Sequence, residues 1–193
     1  MEMQRGVVGD LSRLPALAEA AAKHGLVEAL ARLLRAARSA GLGVVHCTAA
    51  FRADRAGSHR NVPMLERLLE DPDHMLTGSP QVEILQELGP AAGDRISQRF
   101  HGVSPFTHTD LEATLRTMGT RTIVATGVSL NVGVLGLAIE AVNHGYHVVI
   151  PKECVVGVPL DYGEQMLHRS LSVIATLCSS DDLIAAWQPG SSR

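Results

Sequence analysis

The stretch Thr126 to Asn131 joins an apolar β-type run to a helical one, and it carries a hydroxyl at Ser129 and an amide at Asn131. Backbone N–H groups around Asn131 to Gly133 open that helix, where free donors and the helix dipole suit an oxyanion or a carboxylate. Thiols are the other candidates for chemistry. Cys47, Cys154 and Cys178 lie far apart, are odd in number and form no Cys-x-x-Cys pair, so neither a disulfide framework nor a zinc site is expected. All three read as small core residues rather than nucleophiles. His46, inside a β-type run, reads as a satisfied core histidine. His108, His144 and His147 read as surface residues.

The elements that must position these groups follow from periodicity. Leu14 to Lys23 is Ala-rich and helical, with a break at His24-Gly25. Leu26, Leu30, Leu33, Leu34 and Ala37 recur at helical spacing, and Gly41 supplies a stop. Gly43 to Phe51 reads as a buried strand. Phe51 to Pro90 is the least regular part, with turns at Asn61-Val62-Pro63, Asp71-Pro72 and Ser79-Pro80 and short helices at Met64 to Leu69 and Val82 to Leu88.

Strict alternation begins beyond residue 94. Strands are expected at Asp94 to Gln98, Arg121 to Thr126 and Tyr146 to Pro151. Helices are expected at Thr109 to Met118 with a Thr cap, Asn131 to His144 with Gly145 at C′, and Tyr162 to Leu177. Such alternation implies right-handed βαβ units and a mostly parallel sheet covered on both faces. The Gly43–Cys47, Asp94–Gln98, Arg121–Thr126 and Tyr146–Pro151 strands are expected to be parallel neighbours in one sheet. In such sheets the site lies beyond the carboxyl ends of the strands, which places Thr126 to Asn131 there.

Composition narrows the function class. The 193 residues suit one domain, 1–193, with one substantial core, and 46 % hydrophobic with 19 % charged residues is ordinary for a globular chain. The net charge of −3, with no Lys/Arg run and 3 % aromatics, argues against nucleic acid or an anionic membrane as partner. No signal peptide and no spanning apolar run is visible, so a cytoplasmic protein is the default expectation.

Four segments, in order along the chain, resemble the isochorismatase-like (cysteine hydrolase) family. They are Glu2-Met3-Gln4, Gly43 to Cys47, Arg99 to Arg116 (RFHGVSPFTHTDLEATLR) and Gly127 to Pro151. The last is the most specific, because turn, helix and following strand match together; Phe51 to Pro90 carries little resemblance. The resemblance implies a three-layer α/β/α sandwich with a mostly parallel sheet, its first strand short or missing here because almost nothing precedes Glu2. It also implies a cis peptide at Val128–Ser129.

The family's usual catalytic set is an aspartate, a lysine and a cysteine. Carried over to this sequence, the aspartate position is Glu2, the lysine position is Phe100 flanked by Arg99 and His101, and the cysteine position is Gly133. True isochorismatases also carry glycine there. They hydrolyse a vinyl ether by protonating the alkene carbon and letting water capture the oxocarbenium ion, which needs no thiolate. A carboxylic acid in that role must hold its proton near neutral pH, and a cation beside it works against this, so Arg99 is assigned to a substrate carboxylate. His101 is a candidate proton relay. The expected site is therefore Glu2, His101 and Gly133 as the catalytic positions, with Gln4, Arg99, Ser104, Val128, Ser129 and Asn131 binding substrate. Asp54, His59 and His74 match the metal loop of related nicotinamidases too loosely in spacing, so neither metal nor cofactor is expected.

The leading expectation is an acid-catalysed hydrolase of a small, carboxylated metabolite acting without a covalent cysteine intermediate. The alternative is a catalytically silent member that binds a small ligand or serves an assembly. Self-association is expected from the resemblance and from apolar faces at Leu135-Gly136-Leu137 and Leu171 to Leu177.

Overall fold

The computed structural model describes residues 1–188. Five strands and nine α-helices order the described residues. They are α1 (Arg5–Val8), α2 (Pro15–His24), α3 (Leu26–Ser39), β1 (Val45–Ala49), α4 (Pro63–Leu68), β2 (Arg95–Arg99), α5 (Leu111–Thr117), β3 (Thr122–Val124), α6 (Leu135–Asn143), β4 (His147–Pro151), α7 (Leu160–Met166), α8 (Ser172–Ile174), β5 (Thr176–Cys178) and α9 (Ser180–Ala186).

Every strand pairing is parallel. β1 lies beside β2 in the register Val45↔Arg95 to Ala49↔Arg99. β4 lies between β3 and β5, with Thr122 opposite His147 and Val149 opposite Thr176. The strands thus form two groups rather than the one sheet expected, because β1 and β3 do not pair. The first residues of the chain lie between them. The Met1 ammonium donates to Thr126 O at 2.9 Å, Val128 N–H to Met1 O at 3.1 Å, and Glu2 N–H to Cys47 O at 2.8 Å. Gly127 makes this close approach possible. Its φ is 100°, and a Cβ there would stand 2.2 Å from Met1 O.

Each face of the strands is covered. On one, α5 and α6 supply Leu111, Leu115, Leu137 and Ala141 against Val148 and Ile150 of β4. On the other, α2 and α3 supply Leu17, Leu26, Leu30 and Leu33 against Val128, Cys154 and Val156. This is a three-layer α/β/α arrangement. In α3 the buried residues Leu26, Leu30, Leu33 and Ala37 form one stripe, as their spacing requires. Truncating Leu30 to Ala would cost roughly 2–5 kcal/mol in a site this closely packed. Gly25, Gly41 and Gly145 end their helices at φ 67°, 71° and 85°.

Three expected elements differ. Val82 to Leu88 is not a helix but two single turns, Pro80–Val82 and Gln86–Leu88, around an extended Glu83. The extended stretch pairs with the chain start instead: Arg5 N–H donates to Glu83 O and Leu85 N–H to Met3 O. Tyr162 to Leu177 is not one helix. It ends at Ile174, Ala175 turns extended, and Thr176–Cys178 becomes β5, hydrogen-bonded to β4. The apolar spacing of Leu171, Ile174 and Leu177 fits a helix equally well, and the open edge of β4 decides the outcome. The helix opening α6 carries a π-helical turn at Leu130–Val134. Among the described residues no helix is long and apolar enough to cross a membrane.

Candidate active site

Parallel strands deliver their carboxyl ends to one edge, and side chains from four parts of the chain meet there. Residues after β1, the end of β2, the turn after β3 and the start of the chain enclose a cavity of about 100 Å³. Its wall includes Glu2, Arg99, His101, Ser129 and Gly133, so five of the nine residues expected at the site share one cavity. A larger, open cleft of about 1090 Å³ near Arg5, Glu83, Ile96 and Gln98 contains none of them.

Alternation along β2 aims Ser97 and Arg99 to the same face. Ser97 Oγ donates to Asp110 Oδ1 at 2.6 Å, and Arg99, 7 % exposed, turns into the cavity. Arg99 Nε donates to Gly102 O at 3.1 Å and its Nη2 donates to Glu2 Oε1. Its Nη1 is buried with no partner among the described residues. Glu2 holds a left-handed backbone, φ 51°, which an L side chain adopts at a cost. The contact makes Arg99 the partner of Glu2 rather than a cation standing apart. It leaves one guanidinium donor available to an anion.

His101 stands at the cavity edge against His59, with ring centroids 4.7 Å apart and planes at 86°. Its Nδ1 accepts from His59 N–H at 3.3 Å, a role that fits a neutral ring protonated on Nε2. Burial pushes the His101 pKa down, and the nearby His59, His108 and Arg99 push the same way. Both effects favour the uncharged ring.

Ser129 and Gly133 belong to the turn after β3. The Val128–Ser129 peptide is cis. Ser129 O accepts from Val132 N–H and Val134 N–H, which starts the helix at the cavity wall. A Cβ built on Gly133 would stand 3.0 Å from Met1 Cε and 3.3 Å from Val128 O, so a side chain there is tight against the end of Met1, which must give slightly.

The other four expected residues are engaged elsewhere. Gln4 is fully buried. Its Nε2 donates to Ala49 O and Val82 O, both at 2.9 Å, and its Oε1 accepts from Ala49 N–H at 2.8 Å. Ser104 Oγ donates to Glu140 on α6, which also accepts from Thr107 Oγ1. Val128 is wholly buried in the core under α3. Asn131 Nδ2 faces Val158 O at 3.5 Å.

Sequence patterning gave no sign of the cavity's other wall. Phe51, Met64, Leu65, His74 and Met75 line it, all from the irregular segment. Phe51 N–H donates to Met75 O, and Thr77 N–H donates back to Phe51 O, so this long loop is hydrogen-bonded onto the end of β1. His74, 4 % exposed, is tilted against Phe51 at 5.9 Å. Burial, with Arg13 and Arg55 nearby, lowers its pKa to about 4. Asp54 is tied to Arg52, and among the described residues Asp54, His59 and His74 form no group that could hold a metal ion.

No cysteine lines the cavity. Burial pushes the Cys154 thiol up to about 12 and raises Cys47 and Cys178 as well, so none is a ready thiolate. His46 Nε2 lies 3.0 Å from Asp94 Oδ2, whose carboxylate also binds Arg38, as befits a core histidine.

The isochorismatase domain pattern matches residues 1–182. The chain belongs to the isochorismatase family. Maleamate amidohydrolase of Pseudomonas putida is 29 % identical over 133 residues, 67 % of this chain and 59 % of that enzyme, so the match spans less than two thirds of the relative. A cysteine hydrolase structure from Pseudomonas syringae superposes with a TM-score of 0.81 at 22 % identity, over 96 % of this chain and 89 % of that one. An isochorismatase family protein from Desulfovibrio vulgaris gives 0.79 at 25 % identity, over 95 % of both chains. The parallel strands and the two covered faces are thus those of the isochorismatase-family fold.

Proposed function

We propose that the chain hydrolyses a small carboxylated metabolite without a covalent cysteine intermediate. One observation carries this reading: a carboxylate and a guanidinium with a spare donor share a cavity into which no thiol projects. On the family resemblance, Gly133 stands at the nucleophile position, and the three cysteines are held elsewhere as thiols.

Each residue has its own part. Arg99 Nη1 takes the substrate carboxylate. A substrate anion on Arg99 competes with Glu2 for the guanidinium and frees the Glu2 carboxyl from its ion pair. As the carboxylic acid, Glu2 donates a proton to the alkene carbon of an enol ether. Water adds to the resulting oxocarbenium carbon, its proton returns to Glu2 directly or through neutral His101, and the hemiketal collapses to ketone and alcohol. The relative named maleamate amidohydrolase supports a small carboxylated substrate, and it makes amides the second bond class to assay.

Enol ethers and amides of small carboxylic acids are the substrates to screen, before and after alkylation with iodoacetamide. Turnover that survives alkylation and disappears in Glu2→Gln fits the proposal. Stoichiometric loss on labelling one cysteine sinks it. A second reading, a member that binds without turnover, draws on one observation: the Glu2 carboxylate is already tied to Arg99. Ligand binding with no hydrolysis across the screen would favour it.

A further inference from the structure

We infer that this cavity selects a short, largely apolar monocarboxylic acid derivative over a dicarboxylate, an inference that rests on the reading above in taking the cavity as the substrate site. The polar groups are gathered on the strand-end side, at Glu2, Arg99, His101 and Ser129. The rest of the wall is dominated by apolar side chains, among them Leu14, Leu17, Phe51, Leu65, Leu68 and Val132. Charge is scarcer still. Arg99 is the one Lys or Arg in the wall, and half of its guanidinium is already committed to Glu2 and Gly102 O.

His74 does not supply a second cation. With its pKa near 4, the ring offers a hydrogen bond but no charge at neutral pH. Arg13 and Arg55 lie near it but outside the wall. Arg13 is paired with Asp71, and Arg55 donates to Asp71 O and Pro72 O. A second carboxylate would therefore rest against hydrocarbon with no further Lys or Arg in the wall to meet it, which is costlier than leaving it in water. Size points the same way. The cavity's volume of about 100 Å³ is below the roughly 150 Å³ of an apolar cavity that holds benzene, so an acyl chain of about four or five carbons fills it.

The test uses the full chain, with isobutyrate and maleate as probes in isothermal titration calorimetry and with methyl-labelled methionine followed by NMR. Isobutyrate is expected to bind at least about tenfold more tightly than maleate. It should shift the methyls of Met64 and Met75, which line the cavity, and leave that of Met118, which packs on Gly43 before β1. Met64 is 39 % exposed at the cavity wall, so Met64→Lys should fold normally. The added cation should raise maleate affinity at least about fivefold. Maleate binding as tightly as isobutyrate, no binding of either acid at millimolar concentration, shifts confined to Met118, or no effect of Met64→Lys would each overturn the inference. The hydrolase reading stands or falls separately. If the acids bind in the expected order and no enol ether or amide that keeps a free carboxylate is turned over, that reading fails and the cavity's preference stands. Turnover of maleamate with weak isobutyrate binding would instead sink the preference and leave the hydrolase reading standing.

Discussion

Arg99, the last residue of β2, donates through Nη2 to the carboxylate of Glu2, 97 positions away in sequence. Neither residue could be placed beside the other by local structure. Glu2 is fixed by its N–H bond to Cys47 O at the middle of β1, and Arg99 by pairing opposite Ala49 at the end of the same strand. β1 is thus the common ruler that brings the two charges into one cavity.

If Glu2 moves the proton, Glu2→Gln should lower turnover by roughly 10²–10⁴ while the affinity for a carboxylated ligand changes only a few-fold. The amide keeps the shape and an acceptor for Arg99 but cannot donate a proton to carbon. Single-turnover kinetics alongside calorimetry separates the two quantities. Equal loss of binding and rate would instead make Glu2 a structural partner of Arg99.

Introducing the family's usual thiol should not create an amidase. In Gly133→Cys the new Cβ meets the terminal methyl of Met1 at 3.0 Å, and this flexible side chain needs to give by only a few tenths of an ångström, at a cost of roughly 1 kcal/mol or less. The lysine position remains Phe100. Amidase assays on this variant are expected to stay at the wild-type level, with a modestly lower Tm. A variant that hydrolyses amides through the introduced thiol, detected by its labelling, would mean that Arg99 serves in the lysine's role.

Acid should weaken the fold through His74. The unfolded chain takes up this proton as pH falls through 6.5, whereas the folded chain resists until about 4. Across that window the unfolded state binds more protons, so stability drops as the solution is acidified. The full contribution, present above pH 6.5 and lost below 4, is at most about 3 kcal/mol. Urea titrations at pH 7.5 and 4.5 should show a smaller pH difference in His74→Gln than in wild type. Identical differences would mean that His74 does not set the acid sensitivity.

Gln4 is expected to matter for stability rather than for ligand. Its side chain satisfies Ala49 N–H, Ala49 O and Val82 O, which holds the chain start, β1 and the 80–88 segment together. Gln4→Leu leaves three partly buried backbone groups without this partner, and a loss of roughly 1–3 kcal/mol should appear in chemical denaturation. A variant with wild-type stability but impaired ligand binding would restore Gln4 to the binding set.

Self-association remains a proposal, but Leu137 and Leu171, expected on its faces, are buried in the core, so other exposed apolar residues say where to test it. Ile139 and Val142 on α6 are 45 % and 39 % exposed, and Val173 on α8 is 79 % exposed. A dimer burying this face should appear in light scattering at micromolar concentration, and Ile139→Asp should shift it toward monomer. A monomer at all concentrations would count against the proposal.

Elements with strong local signals were legible in the residues alone. The Leu26-Leu30-Leu33-Ala37 stripe with Gly41 after it specifies α3, because burial at a period of 3.6 and a left-handed stop leave little else. The alternation of apolar runs and helices beyond residue 94 dictated parallel strands, since a crossover helix returns the chain to the same edge. Together with the family resemblance, that rule also brings Glu2, Arg99, His101, Ser129 and Gly133 to the strand ends.

Other features depended on partners distant in sequence, and only tertiary structure decided them. Thr176 to Cys178 extends because β4 has an open edge, a condition invisible in its own residues. Glu83 to Leu85 extends because Arg5 N–H and Met3 O need partners there. Gln4 and Ser104 share the family resemblance of their neighbours, yet their side chains are used up by Ala49, Val82 and Glu140. The apolar wall of the cavity comes from the least regular stretch of the chain. Loop side chains acquire a common surface only when backbone hydrogen bonds such as Phe51 N–H to Met75 O fold the loop over the strand ends. Periodicity determined most of the strands and helices, because it reports burial along one element. The identity of the cavity's walls and the pairing of its charges required the relative placement of several elements, which no single stretch of sequence encodes.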